Sequence, residues 1–191
     1  MGEAGIPILH LYVSSVRAPT EEAERETFFS RLIDYYCRIV EQAERSNVRL
    51  ATHTYNAPSR LIWNVETFGR ILDAVPSPTN GVLFCTGKTQ LAGDDMVETI
   101  RSYGQRIVLV HVRNVAGDYV PGTYEAEDRR ELEVRFDLGD IDLLAVFRTL
   151  KEIDYRGPVF AEHYPSIVGD RVAGLAWTCG YLKALEATLG V

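Results

Sequence analysis

Basic residues are in short supply in this chain of 191 residues: 20 Lys and Arg stand against 27 Asp and Glu, for a net charge of −7. With no cationic surplus to neutralise phosphates, nucleic acid is not expected as a main partner. Cysteine is scarcer still. Cys37, Cys85 and Cys179 are odd in number and far apart, so no disulfide framework is implied and a reducing cytoplasm is the expected compartment. No apolar run approaches the roughly 20 residues of a membrane-spanning helix, and no membrane partner is expected. The N-terminus lacks the basic, apolar and small-residue order of a signal peptide. Histidine occurs only four times. What is present is an ordinary globular composition, 46% hydrophobic and 25% charged, enough for a single domain over 1–191 or part of a larger one.

Hydrophobic patterning divides the chain into strand and helix five times over. A strand is expected over 6–13, then a helix over 20–45 with Thr20 as its cap. An apolar run ending at His53 precedes a helix over 65–75, which the turn Pro76 to Gly81 stops. A run ending at Cys85 precedes a helix over 94–103, with Gly104 at its C-terminal end. A run ending at His111 leads into a polar, irregular stretch over 116–135, the size of a lid. A helix over 141–153 with Asp140 as N-cap, a run ending at Glu162 and a helix over 172–189 complete the order. Strands alternating with helices of ten or more residues indicate a parallel sheet, and near-continuous apolar strands are those of a sheet buried on both faces. Five such units make either a small open α/β sheet or five-eighths of a parallel (β/α) barrel of TIM type, which typically needs about 250 residues.

His53, Cys85, His111 and Glu162 each close one of these apolar runs. Barrel strands converge at their C-terminal ends, and two imidazoles, a thiol and a carboxylate are good ligands for a divalent metal. A histidine at a strand end is otherwise a hydrogen-bonded core residue, and a lone Cys85 a small buried hydrophobe. The joint pattern favours the shared metal site. Arg113, two residues after His111, is placed to face the same way and to clamp a carboxylate, with Asn114 beside it. The competing role for Arg113 is a salt-bridged rim residue. His163 and Tyr164 follow Glu162 as candidate acid–base groups. His10 falls on the barrel interior or a substrate wall. Lys88 and Arg60 sit in expected loops, where an anionic substrate is in reach, although a solvated surface position is the better expectation for both.

The stretch 72–87, with Asp-Ala-Val, Ser-Pro, Asn-Gly and Phe-Cys-Thr-Gly, and the stretch 100–115, with His111-Val112-Arg113-Asn114, resemble the mannonate dehydratase family, within the xylose-isomerase-like TIM barrels. The resemblance runs from about Phe29 to the C-terminus. It implies a Mn²⁺ ion, or Fe²⁺, Co²⁺ or Zn²⁺, held by His53, Cys85, His111 and the carboxylate at Glu162, where the family shows Asp. The five strands then correspond to the fourth to eighth of a barrel, without the first three units. Two segments depart from the family. Its His-Pro-Asp-Asp-Pro-Pro is here His53-Thr54-Tyr55-Asn56-Ala57-Pro58, without the acidic pair, and its acidic lid is reduced to the stretch 133–139.

The expected activity is a metal-dependent lyase that removes water from a sugar acid, D-mannonate to 2-keto-3-deoxy-gluconate. Arg113 would hold the substrate carboxylate and His163 or Tyr164 would move protons. A sugar isomerase or epimerase on the same metal is the alternative enzyme. An inactive partial barrel acting as a subunit or interaction module is the alternative outside catalysis. A slice with two open sheet edges is expected to pair with another copy or with a missing N-terminal half-barrel.

Overall fold

The five apolar runs become five parallel strands in a computed structural model that describes residues 5–13, 17–123, 132–163 and 167–190. These are β1 (Ile8–Leu11), β2 (Arg49–His53), β3 (Asn80–Cys85), β4 (Ile107–Val112) and β7 (Val159–Ala161). They lie side by side in the order β1-β2-β3-β4-β7 and curl into half a barrel. A second, two-stranded antiparallel pair joins β5 (Asn114–Val115), just before the stretch expected to be irregular, to β6 (Glu133–Val134) inside it.

The helices pack on the outer, convex face. In α1 (Glu22–Arg45) the buried residues Phe29, Tyr36, Val40 and Ala43 recur at helical spacing, and Glu22, Glu24 and Arg45 complement the helix dipole. Thr20 does not cap it: the N-cap is Glu21, which makes no side-chain cap bond. The helix α2 (Val65–Ala74) starts with a full capping box between Asn64 and Thr67. The short helix α3 (Thr86–Ala92) follows Cys85 without a loop. Its seven residues carry Gly87 and a polar majority, so no apolar stripe marked it as a helix. The helix α4 (Met96–Tyr103) is capped by Asp95, whose carboxylate accepts from Glu98 N. Asp94, the expected start, accepts from Val65 N at 2.8 Å instead and ties α4 to α2. The helix α5 (Leu143–Glu152) is capped by Asp142 rather than Asp140, and α6 (Arg171–Leu189) by Asp170.

Alternation along the strands sorts the side chains. Leu50, Val82, Phe84, Val110 and Val112 face the helices in the main core. Ala51, Leu83, Cys85, Val108 and Leu109 form a second, smaller cluster on the inner, concave face. Ile107 belongs to the outer cluster, and so would His111 if the period of two ran unbroken. It does not. Val82 pairs with Ile107 but Leu83 pairs with Leu109, so β4 carries one extra residue, Val108. That slip moves Leu109 and His111 onto the inner face. Gly81 makes the slip possible, because a Cβ there would overlap the Val108 side chain and approach Leu50 O at 2.7 Å.

Candidate metal centre

His53, at the end of β2, is buried, and its Nδ1 lies 2.6 Å from Thr54 O. A carbonyl only accepts, so Nδ1 carries the proton and the Nε2 lone pair is left for a ligand. Burial pushes this imidazole down to about 3, against the opposing pull of Glu162. His53 is therefore neutral at ordinary pH, the state that metal ligation requires.

His111, at the end of β4, and Glu162, just beyond β7, complete a group with His53 whose ligand atoms all lie within 4.8 Å of one another. His111 Nδ1 is 3.2 Å from Glu162 Oε2, within ion-pair range. This Nδ1 is buried, and beyond that ion-pair contact it has no hydrogen-bond partner among the described residues. Burial works against the charge of Glu162, but His111, His163 and Arg113 outweigh it and hold the carboxyl well below the usual carboxylate range. A neutral imidazole with a directed lone pair, a second with a buried nitrogen and an ionised carboxylate fit a divalent cation. Cys85 does not join this three-residue group. Its Sγ lies 3.7 Å from Glu162 Oε2, so the thiol borders the centre. Burial pushes that thiol up, against the pull of the Arg113 cation.

Arg113 is only 2% exposed. Its Nη1 bonds Glu133 Oε1 at 2.7 Å and its Nη2 contacts Glu162 Oε2. Both terminal nitrogens thus meet protein carboxylates, the arrangement of the salt-bridged rim rather than of a clamp open to substrate. Its stem crosses Gly87, where a Cβ would overlap Arg113 Cγ and Cδ. Asn114 is also buried. Its amide donates to Phe136 O and Ile141 O and accepts from Val115 N and Ile141 N, all backbone groups.

Lys88 differs from the surface position expected of it. It sits on α3, 1% exposed, with Nζ donating to Asn56 Oδ1 and lying 4.2 Å from the Tyr55 ring centre. Arg60 is half-buried, with its guanidinium carbon 4.6 Å from the centre of the same Tyr55 ring. His10 is exposed on the inner face, its ring centre 5.7 Å from those of both His53 and His111. His163 lies at the mouth, 31% exposed, between Glu133 Oε2 at 3.2 Å from Nδ1 and Glu162 Oε1 at 3.3 Å from Nε2. Those carboxylates raise its pKa to about 8. Tyr164 lies outside the described residues.

Glu133 is the site residue that sequence reasoning missed as an individual. It is one of several carboxylates in a mixed-charge stretch, and no periodicity separates it from its neighbours.

The family model for D-mannonate dehydratase (UxuA) matches residues 16–190. Mannonate dehydratase of Rhizobium meliloti is 28% identical over 198 residues, covering 87% of this chain and 48% of that protein. The Enterococcus faecalis enzyme is 27% identical over 215 residues, covering 94% and 58%. The chain spans about half the length of the curated relatives it matches. Among solved structures, mannonate dehydratase from Streptococcus suis serotype 2 superposes with a TM-score of 0.75 at 21% identity, over 99% of this chain and 69% of that one. The IOLI protein with a binding zinc atom gives 0.75 at 18% identity, over 97% and 65%.

Proposed function

Because this chain belongs to the D-mannonate dehydratase (UxuA) family, we propose that it carries a metal-dependent sugar-acid dehydratase centre, acting on D-mannonate to give 2-keto-3-deoxy-gluconate. The observation that carries this reading is the gathering of His53, His111 and Glu162 ligand atoms within 4.8 Å, with a buried nitrogen of His111 facing the Glu162 carboxylate. These three residues, with Cys85 at their border, would hold a divalent cation, with Mn²⁺ first among the choices. The bound cation would supply Lewis acidity, polarising the substrate's carboxylate and 2-hydroxyl oxygens and acidifying the C2 proton.

The chain's own residues do the rest. Arg113 holds Glu162 in place through its Nη2. The exposed inner-face ring of His10 lines the substrate wall. His163 is half open at the mouth and flanked by two carboxylates, and it exchanges protons with the substrate, together with Tyr164. The C2 proton leaves to a base, the C3 hydroxyl departs as water after receiving a proton, and the enol returns as the 2-keto acid.

The test is product analysis on the purified chain loaded with Mn²⁺ and given D-mannonate. A 2-keto-3-deoxy acid and one equivalent of water are the expected outcome. A ketose or epimer from a sugar substrate, with no keto acid from mannonate, would move the reading to an isomerase. No product from either, with no bound metal, would sink both enzyme readings.

A further inference from the structure

We propose that Glu133 is the positioning residue of this site, a carboxylate that fixes Arg113 and His163 relative to Glu162. The proposal rests on the reading of His163 and Glu162 as site residues. Its observation is a closed ring of four side chains. Glu133 gives Oε1 to Arg113 at 2.7 Å and Oε2 to His163 Nδ1 at 3.2 Å. Glu162 gives Oε2 to Arg113 and Oε1 to His163 Nε2 at 3.3 Å. Each carboxylate therefore bridges the same two partners, one oxygen to each. Without Glu133, Arg113 would be a buried guanidinium with one counter-charge, and His163 would be held on one side only.

The local backbone is built for this task. Glu133 lies on β6, and its flanks are anchored on both sides. Ala116 N donates to Leu132 O at 2.9 Å, and Asn114 Nδ2 donates to Phe136 O at 2.9 Å. The antiparallel pairing of Val115 with Glu133 sets the register. The Glu133 side chain is 9% exposed, so its geometry is held by packing as well as by charge. On the opposite side His163 adopts φ +54°, in the left-handed region that side chains other than Gly seldom occupy. Residues held in that region are strained, and they gather where surrounding contacts over-determine the conformation. Glu133 and Glu162 are those contacts for the imidazole. A rim ion pair with no bearing on the site would need neither the second oxygen nor the strained histidine.

The experiment compares the wild-type chain with Glu133→Gln and Glu133→Asp. Three readouts are used: the positions of the Arg113 and His163 side chains by crystallography, Mn²⁺ affinity by calorimetry, and kcat against KM for D-mannonate. Glu133→Gln is expected to displace Arg113 and His163 from Glu162 and to weaken Mn²⁺ binding less than fivefold. It is expected to lower kcat at least a hundredfold with KM changed less than threefold. Glu133→Asp, with the charge kept and the reach shortened, is expected to restore the hold on Arg113 and part of kcat. A folded Glu133→Gln protein in which Arg113 and His163 keep their wild-type positions would overturn the proposal. So would loss of the folded state in both variants, which would make Glu133 a purely structural ion-pair partner. If the wild-type chain itself turns over no mannonate, the dehydratase reading fails, while the crystallographic arm still decides the role of Glu133.

Discussion

At the scale of single residues, the centre depends on side chains that make room as much as on side chains that bind. Gly87 lets the Arg113 stem cross the first turn of α3. Gly87→Ala is expected to displace Arg113 from Glu162, costing about 1–3 kcal/mol in overpacking and weakening Mn²⁺ binding at least tenfold, read by urea unfolding and calorimetry. Glycine was legible at position 87, but its partner lies 26 residues on and only folding brings the two together. Away from the site, Tyr36 donates its hydroxyl to Thr52 Oγ1 at 3.0 Å, and burial raises its pKa. The folded state thus keeps the phenol neutral where the unfolded chain, with a pKa near 10, ionises. This stability is fully present below pH 10 and is lost as pH rises above it. Urea unfolding at pH 8 and 11 should show that loss, and Tyr36→Phe should make it shallower while costing about 1 kcal/mol at pH 8.

At the scale of elements, the extra residue in β4 decides which face carries His111. The apolar run 107–110 is equally compatible with either phase, so the sequence alone could not say that His111 joins His53 rather than the helices. Gly81→Ala would drive a Cβ into Val108 and toward Leu50 O. The expected result is a loss of more than 2 kcal/mol of stability, as for severe overpacking, together with loss of the metal-induced rise in Tm. The helix ends behave more locally. Asp170 accepts from Val172 N at 2.7 Å and Ala173 N at 3.3 Å, so Asp170→Ala should cost about 1 kcal/mol in urea unfolding without altering metal affinity. Asn114 is an element-scale residue too. Its amide joins the end of β4 to the segment leading into α5, a tie that adjacency to Arg113 in sequence does not show.

At the scale of the whole molecule, the half-barrel gathers strand ends that are 58 and 51 residues apart in sequence, from His53 to His111 and on to Glu162. A cation held by all three links β2, β4 and β7, so binding should stabilise the entire sheet. Mn²⁺ at about 100 times its Kd is expected to add about 2.7 kcal/mol, roughly 5–10 °C in Tm for a domain of this length. Chelation should reverse the rise and His53→Ala should abolish it, both read by thermal unfolding.

Periodicity and apolar runs are local properties of the chain, so the alternation of strands and helices, the parallel sheet and the strand-end residues from which the centre is drawn were legible in the order of amino acids. That order also carried the family, through the motifs around Cys85 and His111. Tertiary structure decided the rest. It set the phase of β4, buried Lys88 and Asn114 in bonds to the protein, and turned Arg113 onto two carboxylates. It also brought Glu133 back over the strand ends. Each of these depends on contacts between segments distant in sequence, where close packing and the pairing of buried charge choose among conformations that the local pattern leaves equal.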